Sequence, residues 1–266
     1  VPLTYDIDSL DERDLRLIEA LIARIEPFTK VWFRPEVRGL EHVPEAGSLL
    51  VGNHNGGMLS ADTFVFGIEL AKARGVGALP YGLAHEIALM APGVQHILMP
   101  LGAVRACHEN ALRLFERGKN VLVYPGGDLE SLRAYRDRNR IVFGERRGYV
   151  RLALQANVPI TPIVAHGAHA TSIVLHDGKG LAKWLPIARL LRLKVWPLTF
   201  SLPWGFVLGI TPPYFPLPTK ITVEVLEPIR FERSGEDAAA DVDYVEACHG
   251  RVVGAMQSKL DELALK

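Results

Sequence analysis

Two side chains within one short stretch have the types and spacing for acid–base chemistry. They are His54 and Asp62, in and just after Leu49-Leu50-Val51-Gly52-Asn53-His54-Asn55-Gly56-Gly57. An imidazole with an ordinary pKa of about 6.5 can take up and release a proton near neutral pH. A carboxylate eight positions further on can orient that ring and stabilise its cation. The chemistry suggested is a general base, His54, with Asp62 behind it. The plainer alternative is a polar loop residue at a strand end. A second cluster lies at Pro125-Gly126-Gly127-Asp128-Leu129-Glu130, followed by Arg133. Backbone N–H groups at Gly126-Gly127, or at Gly56-Gly57, can face an anion or a developing oxyanion. Arg105, three residues after Gly102, can offer a phosphate a planar fork of donors, or be a surface arginine of a strand–helix loop.

These residues need elements to hold them. Ser48 to Val51 reads as a buried strand, the glycine-rich loop follows, and Ser60 to Ala73 is helix-compatible. His54 then sits at the carboxyl end of a strand ahead of a helix, where ligands bind in open α/β sheets. Asn120 to Gly127 is the clearest strand, β-branched and ended by Pro-Gly-Gly. Further strands are expected at Val37–Glu41, Ala78–Leu83, Met99–Arg105, Val158–Val164 and Ile221–Val225. Helices are expected at Asn110–Arg117, Gly148–Ala156 and Tyr244–Leu265, with a helical turn over His85–Met90 stopped at Pro92-Gly93. Alternating strands and helices predict a single α/β domain with a mostly parallel central sheet flanked by helices.

The chain has 266 residues, 48% of them apolar, and no formal net charge. That supports a substantial core and argues against a nucleic-acid partner bound through bulk charge. Two cysteines, Cys107 and Cys248, make no framework, so a reducing compartment is the default. The first residues are acidic where a signal peptide would be basic, so no signal peptide is expected. His166 and His169 are three apart, but no cysteine or carboxylate completes a zinc set, and no metal is expected.

Residues 1–35 are expected to form an N-terminal helical arm. Ser9-Leu10-Asp11-Glu12 offers a cap, apolar residues recur from Leu15 to Ile25, and Pro27 interrupts. The aromatic patch Val31-Trp32-Phe33 suits docking on the main domain, or a lipid surface. From Arg133 to Arg151, seven arginines including Arg147 oppose two acids, a local balance of +5. This is either a solvated face or a collar for phosphate groups, on a lipid headgroup or a nucleotide-bearing cofactor. Between Asp177 and Glu224 there is no acid, but six basic residues are interleaved with Trp184, Leu190, Trp196, Phe200 and Trp204. Basic and aromatic residues around apolar ones mark a membrane interface. Segment 178–218 is therefore expected to lie at a membrane surface, or else to be buried or wall an acyl-chain tunnel. The apolar run Val195–Ile210, broken by prolines, is short of the roughly 20 residues needed to span a bilayer.

Taken together, these blocks resemble the glycerolipid acyltransferase superfamily, the lysophospholipid (1-acylglycerol-3-phosphate) acyltransferase-like proteins. Asn53-His54 matches the family's first block, Asn-His then Asp after four residues. Here position 59 is Leu and the acid is Asp62. Gly102 to Arg105 is similar to the second block. The third, Phe-Pro-Glu-Gly-Thr-Arg, is replaced by Tyr124-Pro125-Gly126-Gly127-Asp128-Leu129-Glu130, a Gly-Gly-x-x-Glu form that looks like the diacylglycerol-acyltransferase branch. Val158-Pro159-Ile160-Thr161-Pro162-Ile163 matches the fourth. The resemblance covers roughly Gly39 to Ile229 and makes 36–266 the acyltransferase domain.

The resemblance implies an acyl-CoA or acyl-carrier donor as co-substrate, no bound cofactor, and a hydroxyl of a glycerolipid as acceptor. It implies His54 as base, Asp62 as its partner, and Asn53, Gly57, Arg105, Gly126, Gly127, Glu130, Arg133 and Arg147 as substrate-binding residues. With Glu and Arg absent from their usual places in the third block, a neutral glycerolipid gains ground over a phosphate-bearing one. Glu130 and Arg133 are the candidates to replace them, in which case Glu130→Ala loses activity without unfolding. The expected location is cytoplasmic, peripheral on the inner face of a membrane. The rivals are a lipid-binding or transfer protein on the same scaffold, and a thioesterase-like hydrolase.

Overall fold

The computed structural model describes residues 4–57, 59–91, 93–190, 193–209 and 211–265. Pro92 as a helix stop, and Leu191, Arg192 and Ile210 of the basic apolar run, lie outside them. The strands of the main sheet are β1 (Glu36–Arg38), β2 (Leu49–Gly52), β3 (Tyr81–Ala84), β4 (Ala103–Arg105), β5 (Val121–Val123) and β6 (Ile160–His166). A second, three-stranded sheet holds β7 (Ile173–His176), β8 (Leu198–Ser201) and β9 (Gly205–Leu208), and β10 (Thr222–Val225) returns to the first. The main sheet runs β1-β10-β6-β2-β5-β3-β4. From β6 to β4 every pairing is parallel, and β10 is antiparallel to β6.

Side chains of successive strand residues point to opposite faces, and β2 shows the result. Leu49 and Val51 enter one core cluster, with Val121, Val164 and the helices Gly148–Gln155 and Val242–Ala264. Leu50 enters the other, with Leu122, Ile163, Ile221 and the helix Ala61–Arg74. All four β2 residues are buried, which explains the uninterrupted apolar run of a doubly covered strand. Each such large aliphatic side chain contributes about 2 kcal/mol by leaving water. From β2 the chain passes beyond β5 to β3, and from β5 it passes back beyond β2 to β6. The loops after β2 and β5 thus diverge at a topological switch point.

Most expected strands and helices are found with small shifts at their ends, but the strand expected from Met99 is only Ala103–Arg105, and Leu40-Glu41 belong to a 3-10 turn after β1. Two further local expectations are corrected. The first helix spans Leu15–Trp32, capped by Asp14, whose carboxylate accepts from the Arg16 and Leu17 N–H groups at 2.9 and 3.0 Å; Ser9 does not cap it. The helix also continues through Pro27. Its last turn is held by tertiary contacts: Phe28 stacks on Trp32, and Trp32 Nε1 donates to the Pro216 carbonyl at 2.8 Å. The arm is integrated with the domain, since Leu10 joins one core cluster and Phe33 the other. Within the apolar run, Leu198–Leu208 is the β8–β9 hairpin. In β8 the residues alternate half-buried and buried, the period of a strand, and Pro203-Trp204 makes its turn. No helix among the described residues is long and apolar enough to cross a membrane.

Candidate active site

The loop after β2 is fixed largely by its polar groups. Asn53 extends the strand with its side chain: Nδ2 donates to the Ala165 carbonyl at 2.9 Å and Oδ1 accepts the Ala165 N–H at 2.8 Å. It mimics a peptide against β6, so the expectation that Asn53 binds substrate is corrected to a structural role. His54 follows, and its backbone is clamped on both sides. Its N–H donates to Glu130 Oε2 at 2.8 Å, and its carbonyl accepts from Arg133 Nη1 at 2.8 Å. The half-buried imidazole lies 5.0 Å from the Tyr124 ring, centroid to centroid. Its Nδ1 is 3.1 Å from Ser60 Oγ.

That contact changes the expected pairing. Asp62 does not hold the imidazole: its Oδ2 accepts from Asn55 Nδ2 at 3.0 Å and its Oδ1 from the Thr63 N–H. The three extra residues before the acid carry it into the first turn of the helix Ala61–Arg74. Ser60, in a left-handed conformation at φ 42°, takes the position facing the ring. Such a conformation is costly for a residue with a Cβ.

Glu130 and Arg133 are buried, with 0% and 2% of their surfaces exposed. Glu130 also accepts the Val142 N–H at 2.9 Å. It packs so closely over Gly126 that a Cβ there would overlap its carboxylate. Arg133 has five N–H donors, and all are engaged. Nε donates to the Asp137 carbonyl, Nη1 to the carbonyls of His54 and Glu130, and Nη2 to Asn55 Oδ1 and the Arg138 carbonyl, at 2.6–3.0 Å. Neither residue presents a free group to a substrate, so their expected substrate contact is corrected to bracing of the His54 loop.

The remaining expected contacts sort in the same way. Arg105 makes a two-pronged ion pair with Asp8, both contacts 2.7 Å. Arg147 does the same with Glu246 at 2.6 and 2.9 Å. Each ties a terminal segment to the domain, and neither is brought to His54. Of the candidate oxyanion donors, Gly57 N–H donates to the Ser131 carbonyl, Gly127 N–H to the Tyr124 carbonyl and Gly56 N–H to His169 Nδ1. Gly126 N–H alone of the four has no partner among the described residues. The described residues include no cluster of potential metal ligands.

Sequence reasoning missed Asn55, Ser60, His169 and Tyr214. Asn55 joins Arg133 to Asp62. The Tyr214 hydroxyl donates to the Gly56 carbonyl and accepts the Leu59 N–H. His169, weighed only as a metal ligand, donates from Nε2 to the Arg133 carbonyl at 2.8 Å while Nδ1 accepts from Gly56. Asn55 and Ser60 lie within the motif stretch, but only the folded loop shows which way each points.

Burial sets the electrostatics. It pulls the His54 pKa down to about 4, with the Arg133 cation acting in the same direction. His169 falls to about 3 for the same two reasons. Burial pushes Asp62 up to about 6 and Glu130 up to about 7. A neutral imidazole is therefore the resting form of His54 at neutral pH, with a lone pair free to accept a proton.

The chain belongs to the acyltransferase family. The family model described as Acyltransferase matches residues 34–166, half of the chain. The chain is similar to an uncharacterized protein of Mycobacterium tuberculosis, 30% identical over 76% of this chain and 54% of that one. It is also similar to the mouse DGAT1/2-independent enzyme synthesizing storage lipids, 27% identical over 86% of this chain and 65% of that one. The chain thus spans about half the length of the mycobacterial relatives and two thirds of the mouse one. Among solved structures, its fold matches the 1-acyl-sn-glycerophosphate (LPA) acyltransferase PlsC from Thermotoga maritima. That match has a TM-score of 0.58 at 17% identity and covers 95% of this chain and 80% of that one.

The bracing role of Glu130 has a measurable consequence. In Glu130→Gln an amide replaces one of two acceptor oxygens and leaves the N–H of His54 or Val142 facing a donor. A buried unsatisfied donor costs about 1–3 kcal/mol, so denaturant unfolding is expected to show a loss of that size. Glu130→Ala, which empties both positions, is expected to lose more stability, together with activity.

Proposed function

We propose that the chain transfers a fatty acyl group from an acyl thioester, acyl-CoA or an acyl carrier, to a hydroxyl of a glycerolipid, with His54 as general base. The observation that carries this reading is the His54 geometry: a neutral ring with its backbone fixed at both N–H and C=O and its Nδ1 met by the Ser60 hydroxyl. With Nδ1–H donating to Ser60 Oγ, Nε2 keeps the lone pair. Nε2 takes the acceptor hydroxyl proton as that oxygen attacks the thioester carbonyl. The tetrahedral intermediate collapses by breaking the carbon–sulfur bond, and the imidazolium returns the proton to the thiolate. The unpartnered Gly126 N–H is the donor available to the oxyanion. Asp62 acts at one remove, through Asn55 and Arg133, on the position of the loop. Ser60 is thus a positioning residue.

The reading extends to a membrane surface, with the protein held peripherally on its inner face. Helices Lys179–Trp184 and Pro186–Leu190 and the β8–β9 hairpin expose Trp184 (82%), Leu190 (74%) and Phe206 (70%). Basic residues and no acids accompany them from 178 to 223. The layer reaches the site from two directions: Tyr214 holds Gly56, and Lys194 N–H donates to Asp128 Oδ2 at 2.7 Å. An apolar surface so tied to the catalytic loop suits an enzyme drawing its substrates from a bilayer.

Three measurements test these statements. Labelled acyl-CoA is offered with lysophosphatidic acid, lysophospholipids, monoacylglycerol or diacylglycerol. Wild type is expected to acylate one of them, and His54→Ala to lose about 10²–10⁴-fold in rate, the usual worth of a general base. Free fatty acid without acylated product would instead identify a hydrolase, and full transfer by His54→Ala would remove the mechanism. The second is a pH profile. His54 is deprotonated above its pKa, so its own limb should lie near pH 4, and any limb between pH 5 and 8 should disappear in Glu130→Gln or Asp62→Asn and not in His54 variants. Ser60→Asp places a carboxylate at Nδ1 and is expected to move that acid limb upward, while Ser60→Ala lowers kcat about tenfold with KM little changed, a part of the base contribution. In the third, sedimentation with anionic vesicles, Trp184→Ser with Phe206→Ser is expected to release the protein into the supernatant. Retention equal to wild type would exclude this face.

A further inference from the structure

The seven arginines between residues 133 and 151 do not act as one collar. Arg133 is buried and saturated, Arg146 bonds Asp128 at 2.8 Å, and Arg147 is paired with Glu246. Arg136 and Arg140 stand outside, each 3.6 Å from Asp137. Arg138 differs from these. Its guanidinium lies 4.5 Å above the centre of the Tyr135 ring and makes one bond, to the Tyr135 carbonyl at 3.2 Å. It has no carboxylate partner among the described residues.

Arg138 lines a cleft of about 410 Å³ together with Arg38, Lys220 and His166. The cleft opens beside the carboxyl end of β6 and does not include His54. One acid lines it, Glu36, which is paired with both Arg38 and Lys220. Three fixed cations against one carboxylate leave the lining positive. His166 registers this: burial lowers its pKa, and the Arg138 charge lowers it further.

We propose that this cleft is a phosphate-binding subsite, which takes a phosphate ester. Arg138 and Lys220 meet the phosphate. A guanidinium suits phosphate through its fork of donors. The subsite is joined to the catalytic loop without sharing its base. The backbone carbonyls of Asp137 and Arg138 receive two of the five Arg133 donors, whose others hold His54, Glu130 and Asn55. Asn55 and His169, both bonded within that network, form the wall between cleft and loop. The proposal rests on the acyl-transfer reading only for the origin of the phosphate: the nucleotide end of a thioester donor, or the headgroup of an acceptor.

Calorimetric titration of the full chain with adenosine 3′,5′-bisphosphate and with glycerol 3-phosphate separates these origins, with adenosine and glycerol as controls. One phosphorylated compound is expected to bind wild type and its unphosphorylated control not to. Arg138→Gln and Lys220→Gln are each expected to weaken binding at least tenfold, and Glu36→Gln, which removes the competing carboxylate, to tighten it. The Arg138 side chain contacts only neighbouring Tyr135 through its ring and carbonyl, so its variant should unfold within a few degrees of wild type. Binding of neither compound, or equal binding by wild type and Arg138→Gln, would overturn the proposal. Because the readout is binding, absence of acyl transfer would remove the reaction assigned above and leave this test standing.

Discussion

The site depends on one buried guanidinium. Arg133 spends its five donors on four backbone carbonyls and the Asn55 side chain. Those acceptors belong to two loops, one after β2 and one after β5. A buried charge is expensive unless its donors are satisfied. The two loops can therefore approach in few ways, and the one seen here places the His54 ring between Tyr124 and Ser60. Glu130 closes the same knot by receiving the His54 and Val142 N–H groups. Carbonyl dipoles rather than a direct ion pair surround the cation, so the charge is spread through the loop and not focused on one acid.

This arrangement also sets the electrostatic character of the imidazole. A histidine beside a carboxylate would be pulled toward the charged form. Here burial and then the Arg133 cation hold the pKa down, against a smaller upward pull from Asp128. The acid that the motif leads one to expect is turned toward an amide, Asn55, which passes its influence to the guanidinium. The base is thus tuned toward neutrality, and its orientation is set by a hydroxyl. Sheet register, through the Asn53 bonds to Ala165, fixes where that hydroxyl and ring can meet.

Much of the fold was legible because its cause is local. The apolar runs at Leu49–Val51, Asn120–Val123 and Val158–Val164 are strands because both faces of the sheet are covered, and Pro-Gly-Gly ends one as it must. The position of His54 after the first run follows directly. What could not be read depends on partners far away in sequence. Nothing near Arg105 announces Asp8, and nothing near Arg147 announces Glu246. Arginines that look available to a phosphate were spent on holding terminal segments. Asp62 and Ser60 are two residues apart, and only the first turn of a helix decides which of them faces the ring. In the Val195–Ile210 run the greasy and aromatic content hides a hairpin, which only the alternation within β8 marks.

The contact between Gly126 and Glu130 bears on how such sites diversify. The third-block pattern that the sequence resembles has a glutamate where this chain has Gly126. In this chain the carboxylate of Glu130 fills the space where even the first carbon of that side chain would lie. The two arrangements exclude one another on steric grounds. A lineage passing from one to the other cannot do so by a single replacement: a side chain gained at 126 collides with Glu130, and Glu130 lost first leaves two N–H groups stranded. The positions are expected to change as a pair, so that across relatives an acid appears at one or the other and not at both.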